Sequence, residues 1–155
     1  VVERALAAGA VTADKIARTA NAQIQQVTAV ANNSLVQLDV AAQTGTTSPG
    51  LTLTPSPGLV TANATGLYLV SGYAKWPVAA TGGTYRQIRI MRAGGGPSGG
   101  LVVVDVLSGP TGGLLQPFSA AIPLAAGESV LFVGAQDTGA TVTVELSAAI
   151  VQISG

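Results

Sequence analysis

The chain has 155 residues, with seven basic and seven acidic side chains, and it contains neither histidine nor cysteine. The missing cysteines exclude a disulfide framework and a zinc–thiolate centre, and the zero net charge argues against nucleic-acid binding, which needs a basic footprint. Charged residues make up 9% of the sequence, against about 25% in an average soluble protein. Because so few charges keep a single copy poorly soluble, the composition predicts a surface covered by copies of itself.

Residues 11–33 form the first predicted element, a helix without glycine, proline or aromatic side chains. Ile16, Ala20, Ile24, Val27 and Ala31 recur at spacings of four, four, three and four, which is typical of one helical face. A stripe of such small residues is marginal alone and is stabilised when three copies pack around an axis. We therefore predict an N-terminal stalk domain over 1–33, with Ile16, Ile24 and Val27 at a trimer seam. The alternative is one amphipathic helix lying on the following domain.

From residue 34 onward, short β-rich runs alternate with loops rich in Gly and Pro, which predicts a head domain over 34–155. No long helical pattern separates the runs, so an antiparallel sandwich or barrel is favoured over a parallel α/β sheet. The last strand is apolar on both faces around Ala148–Ile153. A strand of this kind has to meet something beyond the opposite sheet, and we expect a neighbouring subunit there. The predicted fold is a mainly β, homotrimeric jelly-roll sandwich with a short helical stalk.

Residues 50–153 resemble the complement-one-q and tumour-necrosis-factor jelly-roll superfamily. The resemblance lies in the strand entry Gly66-Leu67-Tyr68, the Phe118-containing strand, the Gly127-Glu128-Ser129-Val130 step and the apolar strand at 146–153. The chain departs from the family pattern in having Ile150 and Ile153 where Phe or Tyr is more frequent.

A second resemblance lies in Gly9-Ala10-Val11-Thr12-Ala13-Asp14-Lys15-Ile16-Ala17. This segment is similar to a repeat found in the stems of bacteriophage tail fibres and head fibres. Together, the two resemblances imply a virion appendage on the surface of a phage particle, with the stalk anchored to other virion proteins and the head directed outward.

The sequence offers little for catalysis, because the commonest general base is absent and the acidic residues stand singly. One carboxylate pair, Asp105 with Glu145, could form if their strands were neighbours. Asp137 begins a turn that has too few acids for calcium. Arg86, Arg89 and Arg92 read as a solvated or interface row. We expect no enzyme activity, no cofactor and no metal site.

Trp76 is the single tryptophan and stands near Tyr85. These two aromatic residues are candidates either for stacking on a ligand such as a sugar or for packing at the core or a subunit interface, and a structural role is favoured for Trp76.

The sequence thus predicts a phage structural protein, a trimeric fibre, spike or capsid-decoration head whose N-terminal segment joins it to other virion proteins. The alternative is a receptor-binding head that recognises a glycan on the host cell surface. Neither nucleic acid nor membrane insertion is expected, since no apolar run approaches the ~20 residues of a membrane helix.

Overall fold

The computed structural model describes residues 20–42, 49–78, 82–94, 101–109 and 114–155. Within these ranges the chain forms antiparallel strands and no helix. In chain order the strands are β1 Asn21–Val30, β2 Val36–Gln37, β3 Leu51–Thr54, β4 Leu59–Ala62, β5 Gly66–Lys75, β6 Arg86–Gly94, β7 Leu101–Ser108, β8 Leu115–Leu124, β9 Glu128–Gln136 and β10 Val142–Ser154. No described helix has the length and apolar character needed to cross a membrane.

The strands form two packed sheets. One has the order β1-β10-β5-β8, and the other has the order β3-β4-β9-β6-β7 with β2 added beside β9. Apart from the consecutive pairs β3-β4 and β6-β7, neighbouring strands are distant in sequence, as in a jelly roll. The predicted antiparallel jelly-roll sandwich is therefore confirmed.

The core lies between the sheets because side chains alternate along each strand. In β10, residues Val144, Leu146, Ala148 and Ile150 are buried, while Glu145, Ser147 and Ala149 between them face outward. Phe118 of β8 and Phe132 of β9 connect the two sheets, with ring centroids 5.7 Å apart. In β5, Tyr68 and Val70 share the inner side of the strand, and both side chains are fully buried.

The predicted turn at Gly127-Glu128 leads into β9. Gly127 has a φ of +89°, a backbone conformation that favours glycine. Its N–H donates a hydrogen bond of 2.8 Å to the Ala62 carbonyl. A carboxylate oxygen of Glu128 accepts a 3.0 Å hydrogen bond from the Ala125 N–H, which closes the turn on its other side.

The helix predicted over 11–33 is wrong for residues 21–30, which form β1 and pair with β10 from Asn21↔Val151 to Val30↔Val142. The segment also has a period of two, since Ala22 and Ile24 are buried while Gln23 and Gln25 are exposed. The edge of β10 offers the segment a full ladder of hydrogen bonds, whereas a helix with a stripe of small residues is marginal. The head therefore includes residues 20–33, and the boundary at 33/34 does not hold. Residues 1–19, including Ile16, lie outside the described ranges.

Candidate subunit interface

The four-stranded sheet has a broad face turned away from the core, which we call the outer face. The strand register arranges its side chains in rows across the sheet. In order from β1 to β8, the rows are Asn21, Val151, Leu69 and Ala121; Gln23, Ala149, Ser71 and Ser119; Gln25, Ser147, Tyr73 and Pro117; and Val27, Glu145, Lys75 and Leu115.

The outer face is mostly apolar or small, and it is polarised along the strands. Leu69 and Val151 lie at one end, which we call the apolar end. The other end, which we call the charged end, holds Lys75 and Glu145, the two charged side chains of the outer face, in directly opposite positions on β5 and β10. Such a surface resembles the core of a subunit interface, where charged residues are depleted.

Three large apolar side chains of the outer face are exposed near the charged end. Val27 is 54% exposed, Leu115 is 56% exposed and Tyr73 is 37% exposed. They stand in the same row as Lys75 and Glu145 or in the adjacent row. Val27 and Leu115 stand on the two edge strands of this row, with Glu145 and Lys75 between them, so the exposed apolar side chains flank the charged pair.

The segment before β1 enters the head at the apolar end. β1 begins at Asn21, opposite Val151, and the Gln152 N–H donates a hydrogen bond of 2.7 Å to the Ala20 carbonyl. The connections that follow Val30, Lys75 and Gln136 lie at the charged end, where the Gln136 side chain donates a 2.9 Å hydrogen bond to the Val30 carbonyl. Residue 20 and these connections thus occupy opposite ends of the sandwich.

The predicted stalk-seam residues do not share one face. Ile24 and Val27 are three positions apart on a strand, so their side chains point to opposite sides of the sheet. Ile24 is buried in the core of its own chain, while Val27 is on the outer face. The helical seam predicted through these two residues therefore has no structural basis, although Val27 keeps a place on a surface suited to contact between subunits.

Trp76 is fully buried within one chain, where its indole N–H donates a 2.6 Å hydrogen bond to the Gln116 side-chain oxygen. It is a core residue, so the roles of sugar-stacking platform and subunit-interface aromatic do not apply to it. Tyr85 is partly exposed at the charged end of the sandwich, and its backbone N–H donates a 2.9 Å hydrogen bond to the Asp137 carboxylate. The two aromatic candidates thus do not form a common exposed site.

Asp105 and Glu145 do not form the carboxylate pair that the sequence left open, because they lie in different sheets. Asp105 on β7 forms an ion pair with Arg89 at 3.2 Å in its own sheet. Asp137 accepts hydrogen bonds from the Thr84 side chain and from the backbone N–H groups of Tyr85 and Thr84, and these bonds lower the pKa of its carboxyl. Among the described residues, no group of three or more acidic side chains could hold a metal ion.

Some polar side chains are buried although the sequence analysis did not predict it. Arg86, which was predicted to belong to a solvated or interface row, is fully buried and donates hydrogen bonds to the carbonyls of Tyr85 and Gly82. Its position was foreseeable, because Arg86 shares the parity of the buried residues Ile88 and Ile90 along β6. Gln116 is also buried, and it shares the parity of the buried residues Phe118 and Ile122 along β8. Gln136 is buried as well, in a strand that is buried on both faces, so alternation gives no signal there.

No family model and no curated protein matches the sequence. Solved structures share the fold. The Eiger TNF of S. frugiperda is 16% identical with a TM-score of 0.66, over 87% of this chain and 92% of that chain. Murine APRIL at pH 8.5 is 11% identical with a TM-score of 0.58, over 83% of this chain and 98% of that chain.

A viral protein has the same fold. The vertex protein P5 of phage PRD1 is 18% identical with a TM-score of 0.59, over 87% of this chain and 73% of that chain. At these identities the likeness shows the fold alone. The chain thus has a tumour-necrosis-factor-like jelly-roll fold.

Proposed function

We propose that this chain is a non-enzymatic phage structural protein, the homotrimeric head of a fibre, spike or capsid decoration, on the surface of the particle. The observation that carries the proposal is the outer face. The outer face carries charged side chains in one row only, and Val27, Tyr73 and Leu115 are exposed on it. Such a face is more stable in contact with other copies of the chain than in contact with water.

The entry of the chain at the apolar end supports an anchored head. Residues before Ala20 reach the sandwich at one end, so the connections at the charged end are free to face away from the particle. The similarity of Gly9–Ala17 to fibre-stem repeats supports the same arrangement, as does the fold shared with a phage vertex protein. In this proposal the N-terminal segment binds other virion proteins and the head associates with itself.

Sedimentation equilibrium of the whole chain tests the trimer. We expect a mass three times that of one chain at micromolar concentration. A stable, soluble single copy under the same conditions would contradict the proposal, because the outer face would then remain open to water.

Truncation tests the anchor. Removal of residues 1–33 would delete β1 and unfold the head, so the informative variant begins at Ala20. We expect this variant to fold and to form trimers through the outer face, yet to be missing from particles in electron micrographs. Normal incorporation of the truncated head would show that the N-terminal segment is not the anchor.

A further inference from the structure

We propose that Lys75 of each subunit pairs with Glu145 of the next subunit, and that this exchange fixes the relative orientation of the copies. The inference rests on the proposed self-association and names the residues that direct it. The partner of the outer face is thus a second copy of the same chain, placed side by side and parallel.

Lys75 and Glu145 are register partners, so they lie at the same height along the strands. Rotation about an axis parallel to the strands leaves the height of every residue unchanged. A copy related by such a rotation therefore brings its own Lys75 and Glu145 to the level of the first pair. A heterologous contact can then place lysine against glutamate at each junction.

The competing arrangement is an antiparallel pair of copies related by a twofold axis. A twofold axis that is perpendicular to the strands and passes through the middle of the outer face, where the contact is largest, would reverse the heights and place Lys75 and Glu145 against Leu69 and Val151 of the other copy. Both charges would then lose water without gaining a partner, which is costly. The polarity of the outer face therefore favours the parallel arrangement and opposes the antiparallel one.

In the described part of the chain, Lys75 and Glu145 do not approach each other within ion-pair distance. The two ion pairs formed there join Arg86 to Asp137 and Arg89 to Asp105. Glu145 accepts a 3.2 Å hydrogen bond from the Gln25 side chain. Val27 and Leu115, more than half exposed, flank the pair and would shield an intersubunit contact from water.

The parallel arrangement also agrees with the entry of the chain. Ala20 lies at the apolar end of every copy, so parallel association brings all N-terminal segments to one end of the assembly. A single stalk requires this convergence, whereas an antiparallel pair would send the segments in opposite directions.

Charge reversal tests the exchange. We expect Lys75→Glu and Glu145→Lys each to raise the dissociation constant of the assembly by at least about tenfold, because each variant places like charges at every junction. An equimolar mixture of the two variants should assemble more tightly than either variant alone, since a mixed trimer restores the lysine–glutamate pair at two of its three junctions. A pair formed within one chain could not be rescued by mixing. Assembly is read by sedimentation, and urea unfolding confirms that each variant is folded.

The matched control is the exposed ion pair on the other sheet. Arg89→Glu and Asp105→Lys reverse charges of the same type away from the outer face, and we expect both variants to assemble like the parent chain. If Lys75→Glu and Glu145→Lys also assemble normally while the parent chain is trimeric, the inference is overturned and the proposed trimer stands. A monomeric parent chain overturns both.

Energy transfer tests the orientation. The chain has no cysteine, so Asn21→Cys and Ala29→Cys each introduce one labelling site, near opposite ends of β1. A parallel assembly gives more efficient transfer between two Asn21→Cys chains than between an Asn21→Cys chain and an Ala29→Cys chain. The reverse order would show antiparallel association and would overturn the inference.

Discussion

The indole N–H of Trp76 donates a 2.6 Å hydrogen bond to the side-chain oxygen of Gln116, and both residues are buried between the sheets. The Gln116 amide nitrogen in turn donates a 2.8 Å hydrogen bond to the Arg86 carbonyl. One glutamine thus satisfies a donor on one sheet and an acceptor on the other. Buried polar groups are costly when they lose such partners.

We therefore expect Gln116→Met to lower the free energy of unfolding by about 1–3 kcal/mol, since the Trp76 N–H would be left without an acceptor. Urea unfolding followed by circular dichroism measures the change in both backgrounds, since Trp76 is the single tryptophan. In the Trp76→Phe background the same substitution should cost less, because the orphaned donor is gone. Equal costs in the two backgrounds would show that the hydrogen bond does not stabilise the fold.

Gly72 of β5 lies against the backbone of β10, and a Cβ at this position would overlap the Ser147 carbonyl oxygen. We expect Gly72→Ala to destabilise the head by about 1–3 kcal/mol, as overpacking does elsewhere. Gly109→Ala is the control, since nothing lies near its Cβ, and its effect should stay within about 0.5 kcal/mol. Thermal unfolding of the two variants compares them, and equal stability would contradict the close approach of the strands.

Ile24 and Val27 should respond differently to truncation. Ile24→Ala removes buried core volume and should lower the free energy of unfolding by about 2–5 kcal/mol. Val27→Ala should leave the unfolding of the single subunit nearly unchanged. It should raise the dissociation constant of the trimer by about tenfold, because it deletes apolar area from the proposed interface.

Sedimentation and urea unfolding over a range of protein concentrations separate these two effects. A large loss of subunit stability in Val27→Ala, with unchanged association, would place Val27 outside the interface.

Asp137 should make stability depend on pH. Hydrogen bonds from the Thr84 side chain and the Tyr85 N–H lower the pKa of its carboxyl in the folded state. The stabilisation is therefore fully present above the unfolded pKa of about 3.9 and is lost as the pH falls through the lower folded pKa. We expect Asp137→Asn to be less stable than the parent chain at pH 7 and at pH 5, with the gap closing in more acidic solution.

Urea unfolding at pH 7, 5 and 3 measures this gap. Asp105→Asn is the control, because its exposed pair with Arg89 contributes little at any of these pH values. A gap between parent and Asp137→Asn that stays constant down to pH 3 would show that ionisation of Asp137 does not stabilise the fold.

Several features of the head could be predicted from local patterns. Alternation along β5 separates buried from outward-facing side chains, because a strand turns successive residues to opposite faces. In β10 the apolar residues on both faces predicted a contact beyond the opposite sheet; Ala148 and Ile150 are buried in the core, and Ala149 and Val151 lie on the outer face. The Gly127-Glu128 step and the Gly- and Pro-rich connections marked the turns, since their backbone conformations favour these residues. The scarcity of charge predicted self-association, which we propose takes place through the outer face.

The tertiary structure decided the rest. Residues 20–31 satisfy a helical period through Ala20, Ile24 and Val27 and a strand period through Ala22 and Ile24, so local sequence cannot choose between them. The choice is made by the open edge of β10, more than a hundred residues later in the chain, which supplies the hydrogen bonds that β1 needs. The placement of Lys75 opposite Glu145 and of Gln116 between Trp76 and Arg86 likewise arises from strand pairing and sheet packing. Such contacts join distant segments, and a one-dimensional pattern records only the preferences of each segment by itself.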